Sequence, residues 1–437
     1  MRVLKFGGTS VGTAQRMKEV AALIDDNHQK IVVLSAMAGT TNSLVEIANY
    51  LYKNNHDGAN EAINSLEKKY EEEIENLFST EEYKSKGIDL VKSHFEFIKS
   101  FTIDMFTVFE EKAILAQGEL LSTAMLHFYL EENNVSSRLL PALDYMRIDK
   151  NNEPDNTYIK DNLKTTLAKE DAKQIYITQG YICRNAFGEI DNLQRGGSDY
   201  SASLIGVATE AEEIQIWTDI DGMHNNDPRY VEKTQSISDL SFDEAAELAY
   251  FGAKILHPTS VLPAKLANIP VRLLNTMEPQ AAGTLISSRQ RKERMAAVAA
   301  KDGITAIKIK SGRMLLAYGF LRKVFEIFES YKTPIDMITT SEVGVSVTID
   351  DNKHLNEIVD DLKKYGTVEV DHDKVIVCVV GDLIAENKGY AHTIFDAVKD
   401  IPIRMISYGG SNYNLSLLIN ARDKKKALNL LSDKLFN

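Results

Sequence analysis

Two short apolar segments near the start of the chain each end in a run of small residues. Residues 3–6 lead directly into Gly7-Gly8-Thr9-Ser10, residues 31–34 lead into Ser35-Ala36-Met37-Ala38-Gly39, and a helical stretch follows each run. Strand, small-residue turn and helix in this order are typical of a parallel sheet, which binds ligands at the carboxyl ends of its strands. Further strand-like segments lie at residues 175–178, 214–217 and 271–274. The pattern predicts an α/β fold with a parallel sheet sandwiched by helices.

A charged helical segment and a later change in composition indicate how the chain is divided. From about residue 60 to residue 132, Glu and Lys alternate with Leu, Ile and Phe at helical spacing, which predicts a helical insertion with a solvated charged face. The composition changes after about residue 290. A chain of 437 residues suits two or three domains. We therefore predict a first domain at residues 1–290 that contains the insertion.

The C-terminal part of the sequence contains an internal duplication. The pattern Pro-Ile-x-Met-Ile begins at Pro334 and again at Pro402, 68 residues later, and in each copy a helix precedes it and a second strand follows. This order predicts two α+β modules of βαββαβ character, at residues 300–373 and 374–437. A unit of this size buries little core alone, so we expect the modules or the subunits to pair.

Charge and composition exclude several classes of partner. The formal net charge of -13 argues against a nucleic-acid partner, because a phosphate backbone requires a basic face. The N-terminus lacks a signal-peptide pattern, and no apolar run approaches the roughly 18 residues of a membrane span. Cys183 and Cys378 lie far apart and form no metal pattern. We expect them to be reduced, buried thiols of a cytoplasmic protein.

The segment Lys5-Phe6-Gly7-Gly8 has the features of a phosphate site. Two glycines after a strand let backbone N–H groups approach phosphate oxygens, and the helix that follows adds positive potential. Lys5 supplies a mobile charge for β- and γ-phosphates. The alternative is an ordinary strand-to-helix turn. The G-x-x-x-x-G-K-[ST] motif and the protein-kinase motifs are absent, which excludes those two kinase classes.

A second glycine pair lies in Arg195-Gly196-Gly197-Ser198-Asp199. Arg195 can bind a carboxylate through two hydrogen bonds, while the glycines bring backbone donors close. Asp199 can hold an ammonium group or orient a lysine. A turn with a surface Arg–Asp pair is the alternative.

Acidic residues follow the strand-like segment that ends at Trp217. Thr218 and Asp219 open a polar loop where nucleotides bind in open α/β sheets. Asp219, Asp221 and Asp227 are compatible with Ca²⁺, but the EF-hand spacing and its terminal Glu are missing, so we predict no protein metal site.

Three other residues have both a chemical and a structural interpretation. Lys254 follows a predicted helix end at Gly252 and can reach a phosphate, or it is a surface lysine. His257, before a proline, is interpreted as structural. Glu119 begins a helix and is either functional or an acid favoured there by the helix dipole.

Together these segments resemble the aspartokinase family from end to end and in order. The matching motifs lie at residues 5–10, 32–42, 118–122, 195–202, 217–222, 227–229 and 252–258. The duplicated modules look like the tandem ACT domains of the family, and Ile338-Thr339-Thr340-Ser341-Glu342 matches its lysine-sensitive members. Two departures are Gln194, where a Gly is usual, and His224, where relatives commonly have Tyr.

The resemblance implies an enzyme that transfers phosphate from ATP, with Mg²⁺ held mainly by phosphates and water, to the side-chain carboxylate of L-aspartate. It implies that Lys5, Arg195 and Asp199 are catalytic. The residues it places on ATP are Lys5, Phe6, Gly7, Gly8, Thr218, Asp219, His224, Arg229 and Lys254. The residues it places on aspartate are Ser35, Thr41, Glu119, Arg195, Ser198 and Asp199.

The chemistry expected of such a site is electrostatic. A carboxylate with a pKa of about 3.9 is already ionised at pH 7, so it needs no general base. The site must instead suppress repulsion between two anions and hold them in line. Two alternatives are a kinase for glutamate or acetylglutamate, which the tandem modules disfavour, and an amino-acid sensor without catalysis, which would need neither Lys5 nor the Arg195 loop.

The resemblance also implies feedback inhibition, with lysine as the favoured effector and threonine as the alternative. Asp336 is expected to pair with the side-chain ammonium of lysine. The complete set of predicted effector residues is Met314, Gly319, Phe320, Leu321, Ile335, Asp336, Thr340 and Ser341. A homo-oligomer, a dimer or a dimer of dimers, is expected to form through the ACT-like modules.

Overall fold

A computed structural model describes nearly the whole chain. The described residues are 1–26, 28–103, 105–169, 173–193, 196–252, 256–289, 295–311, 318–381 and 388–436. They form two compact units. The first unit contains Met1–Met223 and Leu256–Ser288, and the second contains His224–Ile255 and Arg289–Asn437.

The strands are numbered in chain order. They are β1 (Arg2–Phe6), β2 (Lys30–Leu34), β3 (Ser137–Leu140), β4 (Ile175–Gln179), β5 (Ile182–Arg184), β6 (Ile190–Asn192), β7 (Ile214–Thr218), β8 (Asp239–Ser241), β9 (Val271–Asn275), β10 (Thr284–Ser287), β11 (Met295–Lys310), β12 (Ile338–Ser341), β13 (Gly344–Ile349), β14 (Thr367–Gly381), β15 (Met405–Tyr408) and β16 (Asn414–Asn420).

The α-helices are numbered in the same way. They are α1 (Ala14–Ile24), α2 (Thr40–Tyr52), α3 (His56–Leu77), α4 (Glu81–Ser100), α5 (Val108–Leu115), α6 (Gln117–Glu132), α7 (Asn156–Leu167), α8 (Gly197–Ala208), α9 (Phe242–Tyr250), α10 (Pro258–Leu266), α11 (Phe320–Ser330), α12 (Leu355–Lys363), α13 (Tyr390–Ala397) and α14 (Lys424–Leu435). The stretch predicted as a helical insertion, about 60–132, falls within α3 to α6.

The first unit is built on a mainly parallel sheet, as predicted. Its strands follow the order β3-β4-β2-β1-β7-β9-β10, and every neighbouring pair is parallel except β9 with β10. Side chains alternate between the two faces of a strand. Leu4 and Phe6 therefore join a core with Met17 of α1 and Met125 of α6, whereas Lys5 points to the opposite face and reaches α8.

The second unit contains an antiparallel sheet with the order β12-β13-β11-β14-β16-β15. The long strands β11 and β14 pair along their whole length, with irregular register around residues 301–306. β13 pairs with the second half of β11, and β16 pairs with the second half of β14. Each half of the sheet has its own apolar core, one under α11 and α12 and the other under α13 and α14.

This arrangement confirms the α+β character of the two predicted modules; the bounds predicted for them, 300–373 and 374–437, stay a prediction. It also shows that they exchange strands: Ala297–Lys301 at the start of β11 pairs with β14 and completes the second module. Cys183 and Cys378 are both buried free thiols, as predicted. Within the described ranges, no helix is long and apolar enough to cross a bilayer.

Candidate functional site

The carboxyl ends of the central parallel strands lie next to one another. Phe6 is in register with Leu34 on one side and with Trp217 on the other, and Leu34 is in register with Gln179. Because these strands run in the same direction, the loops that follow them gather at one edge of the sheet. Most of the predicted site residues of the first unit lie in these loops.

Lys5 and Asp199 are brought together at this edge. The Lys5 Nζ lies 2.7 Å from Asp199 Oδ1, and the two side chains are only 12% and 16% exposed. Asp199 is in the first turn of α8, which begins directly after Gly196. Gly196 adopts a left-handed backbone with φ of 78°, a conformation that favours glycine. The turn therefore places a carboxylate beside Lys5 in the first turn of a helix, where the backbone N–H groups have no partner within the helix.

Ser35 and Ser198 also meet at this edge. Ser35 Oγ donates a hydrogen bond to Ser198 Oγ at 3.0 Å, and Ser122 Oγ donates to the Ser35 carbonyl at 2.8 Å. A Cβ at Gly180 would lie 2.6 Å from Ser198 Cβ, so only glycine allows α8 to approach the strand end this closely. Gly180 follows β4 and was not among the predicted site residues.

Glu119 is a buried carboxylate in the first turn of α6. The Ala36 N–H donates to its Oε1 at 3.2 Å, while Oε2 is buried and has no hydrogen-bond partner within the described part of the chain. Burial raises the pKa of Glu119 to about 7. A buried, half-satisfied carboxylate is a favourable site for a ligand cation, because an ammonium group would both pair with it and keep it ionised.

The remaining predicted residues of the first unit differ in their exposure. Thr41 is exposed in the first turn of α2. Phe6 is fully buried and stacks on Trp217, so only its backbone can face a ligand. Thr218 ends β7, where its Oγ1 accepts a hydrogen bond from the Ile220 N–H at 3.0 Å, and Asp219 beside it is exposed.

The glycine loop after β1 is closely packed. The Gly7 N–H donates to the Trp217 carbonyl at 3.3 Å. A Cβ at Gly8 would lie 2.9 Å from the Ala36 carbonyl oxygen, closer than real Cβ contacts. The loop therefore has the narrow, side-chain-free form that a phosphate-binding turn requires.

Two predicted nucleotide residues belong to the second unit. His224 Nδ1 lies 3.0 Å from Thr234 Oγ1. Arg229 is largely exposed and donates to both Asp227 oxygens, from Nε at 2.9 Å and from a terminal nitrogen at 2.7 Å. Burial alone would raise the pKa of Asp227, but the hydrogen bonds from Arg229 outweigh it and hold that pKa below its ordinary value.

Asp336, the predicted partner of the effector ammonium, precedes β12 in the second unit. The Asp336 side chain is 1% exposed; its Oδ1 lies 2.5 Å from Lys301 Nζ and accepts a hydrogen bond from the Tyr250 hydroxyl at 2.9 Å. Lys301 also lies 2.9 Å from Asp350. Burial raises the pKa of Asp336, and its Oδ2 has no hydrogen-bond partner within the described residues. Asp336 is thus already paired with a lysine of the same chain.

The other described effector residues lie on α11 and β12 or shortly before them. Gly319, with φ of 83°, precedes α11, Phe320 is buried in the module core and Leu321 is partly exposed. Ile335 is half-buried, while Thr340 and Ser341 are exposed on β12, at the edge of the sheet. Three predicted site residues lie outside the described residues: Arg195, Lys254 and Met314.

Comparisons with known proteins identify the family. The model of the Amino acid kinase family matches residues 1–275, and an ACT domain model matches residues 377–435. Lysine-sensitive aspartokinase 3 of Escherichia coli is 31% identical over 99% of this chain and 99% of its own. The chain belongs to the aspartokinase family. Aspartokinase 1, chloroplastic, of Arabidopsis thaliana is 33% identical over 99% of this chain and 80% of its own.

Solved structures support the same assignment. A crystal structure of E. coli aspartokinase III in complex with aspartate and ADP (R-state) has a TM-score of 0.85 and 30% identity, and all of both chains is covered. The complex of that enzyme with lysine and aspartate (T-state) has a TM-score of 0.82 at the same identity and coverage. This aspartokinase is therefore an ATP-using aspartate kinase with an ACT-type regulatory region, as the sequence predicted.

Proposed function

We propose that this aspartokinase transfers the γ-phosphoryl group of ATP to the side-chain carboxylate of L-aspartate. The product is 4-phospho-L-aspartate, the first intermediate toward lysine, threonine and methionine. The observation that carries the substrate assignment is Glu119, whose buried Oε2 has no partner within the described part of the chain. A free α-ammonium group pairs with this oxygen, whereas an acetylated amine cannot. This favours aspartate over acetylglutamate.

The residues around Lys5 position charge rather than move protons. The aspartate β-carboxylate is about 99.9% ionised at pH 7 and attacks without a base. Asp199 holds the Lys5 ammonium at 2.7 Å, which fixes the direction of the positive charge toward the transferring phosphoryl group. The backbone of Gly7 and Gly8 lies against the phosphates. Arg195 binds the α-carboxylate, as the resemblance implies.

Mg²⁺, when bound, neutralises charge on the phosphate oxygens. Within the described ranges, no group of three or more His, Cys, Asp or Glu side chains is arranged to hold a metal ion. As the resemblance implies, we propose that the phosphates of ATP and water supply most of its ligands, since Mg²⁺ usually keeps several waters.

The experiment that tests this function measures ADP release in a coupled assay with a panel of acceptors. L-Aspartate should be turned over, whereas N-acetyl-L-aspartate, which keeps both carboxylates but lacks the ammonium group, should not. L-Glutamate and N-acetyl-L-glutamate complete the panel. Faster turnover of either glutamate compound would support the other amino-acid kinases instead, and turnover of N-acetyl-L-aspartate would overturn the role of Glu119.

We further propose that lysine inhibits the enzyme through the ACT-type region. The support is the resemblance to a lysine-sensitive relative and the buried carboxylate of Asp336. Because Lys301 already pairs with Oδ1, an effector ammonium must either displace Lys301 or bind at Oδ2. Activity at sub-saturating aspartate with lysine, threonine or methionine added tests this proposal. No response to lysine would overturn it.

We also propose that the enzyme is a homo-oligomer and that it is cytoplasmic. The exposed apolar side chains Leu321 and Phe325 on α11, and Ile338 on β12, support a homo-oligomer formed through the modules. Buried free thiols at Cys183 and Cys378 support a reducing, cytoplasmic location. Light scattering of the purified enzyme would measure the mass of the assembly, and a monomer at micromolar concentration would contradict the first point.

A further inference from the structure

The loop between β2 and α2 is held from outside by two consecutive residues of α3. Lys69 Nζ donates to the Ala38 carbonyl at 2.8 Å. The Tyr70 hydroxyl and Thr40 Oγ1 share a buried hydrogen bond of 2.9 Å. α3 belongs to the helical insertion. These two bonds therefore link the insertion directly to the edge of the sheet where the predicted site residues lie.

The same loop contacts both halves of the reaction site. On one side the Ala36 N–H donates to Glu119, the proposed ammonium site. On the other side it lies against the glycine loop, since a Cβ at Gly8 would be 2.9 Å from the Ala36 carbonyl oxygen and a Cβ at Gly12 would be 2.9 Å from Ala38 Cβ. A shift of the loop would therefore move the aspartate subsite relative to the phosphate subsite.

Neither bond is explained by packing alone. Tyr70 is fully buried and packs near Phe95, a role that phenylalanine would fill equally well without a hydroxyl. The charged end of Lys69 binds the carbonyl of Ala38, next to Gly39, which has a left-handed backbone with φ of 82°. Burial raises the pKa of Tyr70, so its hydroxyl stays protonated beside Thr40.

We propose that Lys69 and Tyr70 are positioning residues for the phosphoryl transfer, a role that rests on the function proposed above. They hold the loop of residues 35–39 and the start of α2 so that the Ala36 N–H orients Glu119 while the glycine loop stays in contact. Their bonds are to the Ala38 carbonyl and to Thr40, neither of which is among the residues assigned to ATP or aspartate. Their loss should affect aspartate more than ATP, because Glu119 is the group that the loop orients.

The test compares Lys69→Met and Tyr70→Phe in the full-length enzyme with Lys68→Met as the matched control. Lys68 is the preceding residue on α3, is 77% exposed and lies 4.0 Å from Glu72. Each positioning variant should raise the KM for aspartate about tenfold, the equivalent of one hydrogen bond, with the KM for ATP within about twofold of the parent value. Lys69→Arg should restore most of the loss.

Several outcomes would decide whether Lys69 and Tyr70 are positioning residues. Parent-like kinetics in both variants would overturn the positioning role, as would a lower Tm with an unchanged KM for aspartate, which is the mark of a structural role. Equal losses in Lys68→Met would show an effect of surface charge and would also overturn it. A parent enzyme without aspartate turnover would instead overturn the proposed function, and this proposal with it.

Discussion

Lys5 Nζ and Asp199 Oδ1 lie 2.7 Å apart in a largely buried ion pair, although the two residues are far apart in the sequence. The pair joins the end of β1 to the first turn of α8. Replacing Lys5 by Met should reduce kcat by about two to three orders of magnitude, because a fixed positive charge at the phosphoryl group is lost. Asp199→Asn should give a smaller loss, since Lys5 remains but is no longer held.

The control for this prediction is an exposed ion pair of the same unit. Lys160 lies 3.0 Å from Glu210, and both side chains are more than half exposed. Lys160→Met should therefore leave kcat unchanged. A kcat of Lys5→Met within about threefold of the parent value would show that Lys5 does not act on the transition state.

Glu119 makes the use of aspartate depend on pH. Burial raises its pKa to about 7, and only the ionised form pairs with an ammonium group. Between pH 7.5 and pH 6.0 the ionised fraction falls about eightfold, whereas the ammonium and the carboxylates of aspartate keep their charges. The KM for aspartate should therefore rise by about that factor as the pH falls. In Glu119→Gln the KM should be high and nearly constant, and a flat profile in the parent would contradict this role.

Gly180 sets the distance between the end of β4 and α8. The Cβ of an alanine would lie 2.6 Å from Ser198 Cβ and would push α8 outward. We expect Gly180→Ala to destabilise the fold by about 1–3 kcal/mol and to lower kcat/KM about tenfold. Gly410→Ala is the control, because within the described part of the chain, and apart from the neighbours of Gly410 in sequence, no atom lies within 4 Å of the added Cβ. Thermal unfolding and kinetics of both variants check this, and a parent-like Gly180→Ala would contradict it.

Lys301 provides a test of the effector site. Lys301→Met removes the cation from the buried Asp336 carboxylate and should cost about 3 kcal/mol of unfolding free energy. Lys310→Met, on the same strand with a half-exposed partner, should cost less than about 0.5 kcal/mol.

If the effector ammonium binds at Asp336, free lysine should raise the Tm of Lys301→Met more than that of the parent. The reason is that the ammonium group of the added lysine then has no Lys301 ammonium to displace from Asp336. Equal responses of the two proteins to lysine would show that its ammonium binds elsewhere.

The fold that carries the site could be predicted from the sequence, because the signals for its strands and for the duplicated modules are local. Strands such as β1 and β2 are continuous apolar segments that end at glycine or small residues, and the duplicated pattern at Pro334 and Pro402 marks the two modules. The resemblance assigned Lys5 to ATP and assigned Ser35, Ser198 and Asp199 to aspartate; in the structure Lys5 contacts Asp199, and Ser35 contacts Ser198.

The parts that could not be predicted depend on contacts between distant segments. Nothing near Lys301 in sequence indicates that it pairs with Asp336, and nothing near Gly180 indicates that α8 passes over it. The exchange of strands between the modules results from the register of β11 and β14, which periodicity alone does not fix. In sequence, Lys69 cannot be told from the other lysines of a charged helix. Only the structure shows that it binds the loop at Ala38.

The most direct measurement of the central claim traps the product. An acyl phosphate reacts with hydroxylamine to give a hydroxamate, which mass spectrometry and comparison with synthetic α- and β-isomers identify. With L-aspartate and ATP the enzyme should form the β-hydroxamate of aspartate in amounts equal to the ADP released, and Lys5→Met should form almost none. Release of ADP without hydroxamate, or formation of the α-isomer, would contradict the proposal that the side-chain carboxylate accepts the phosphoryl group.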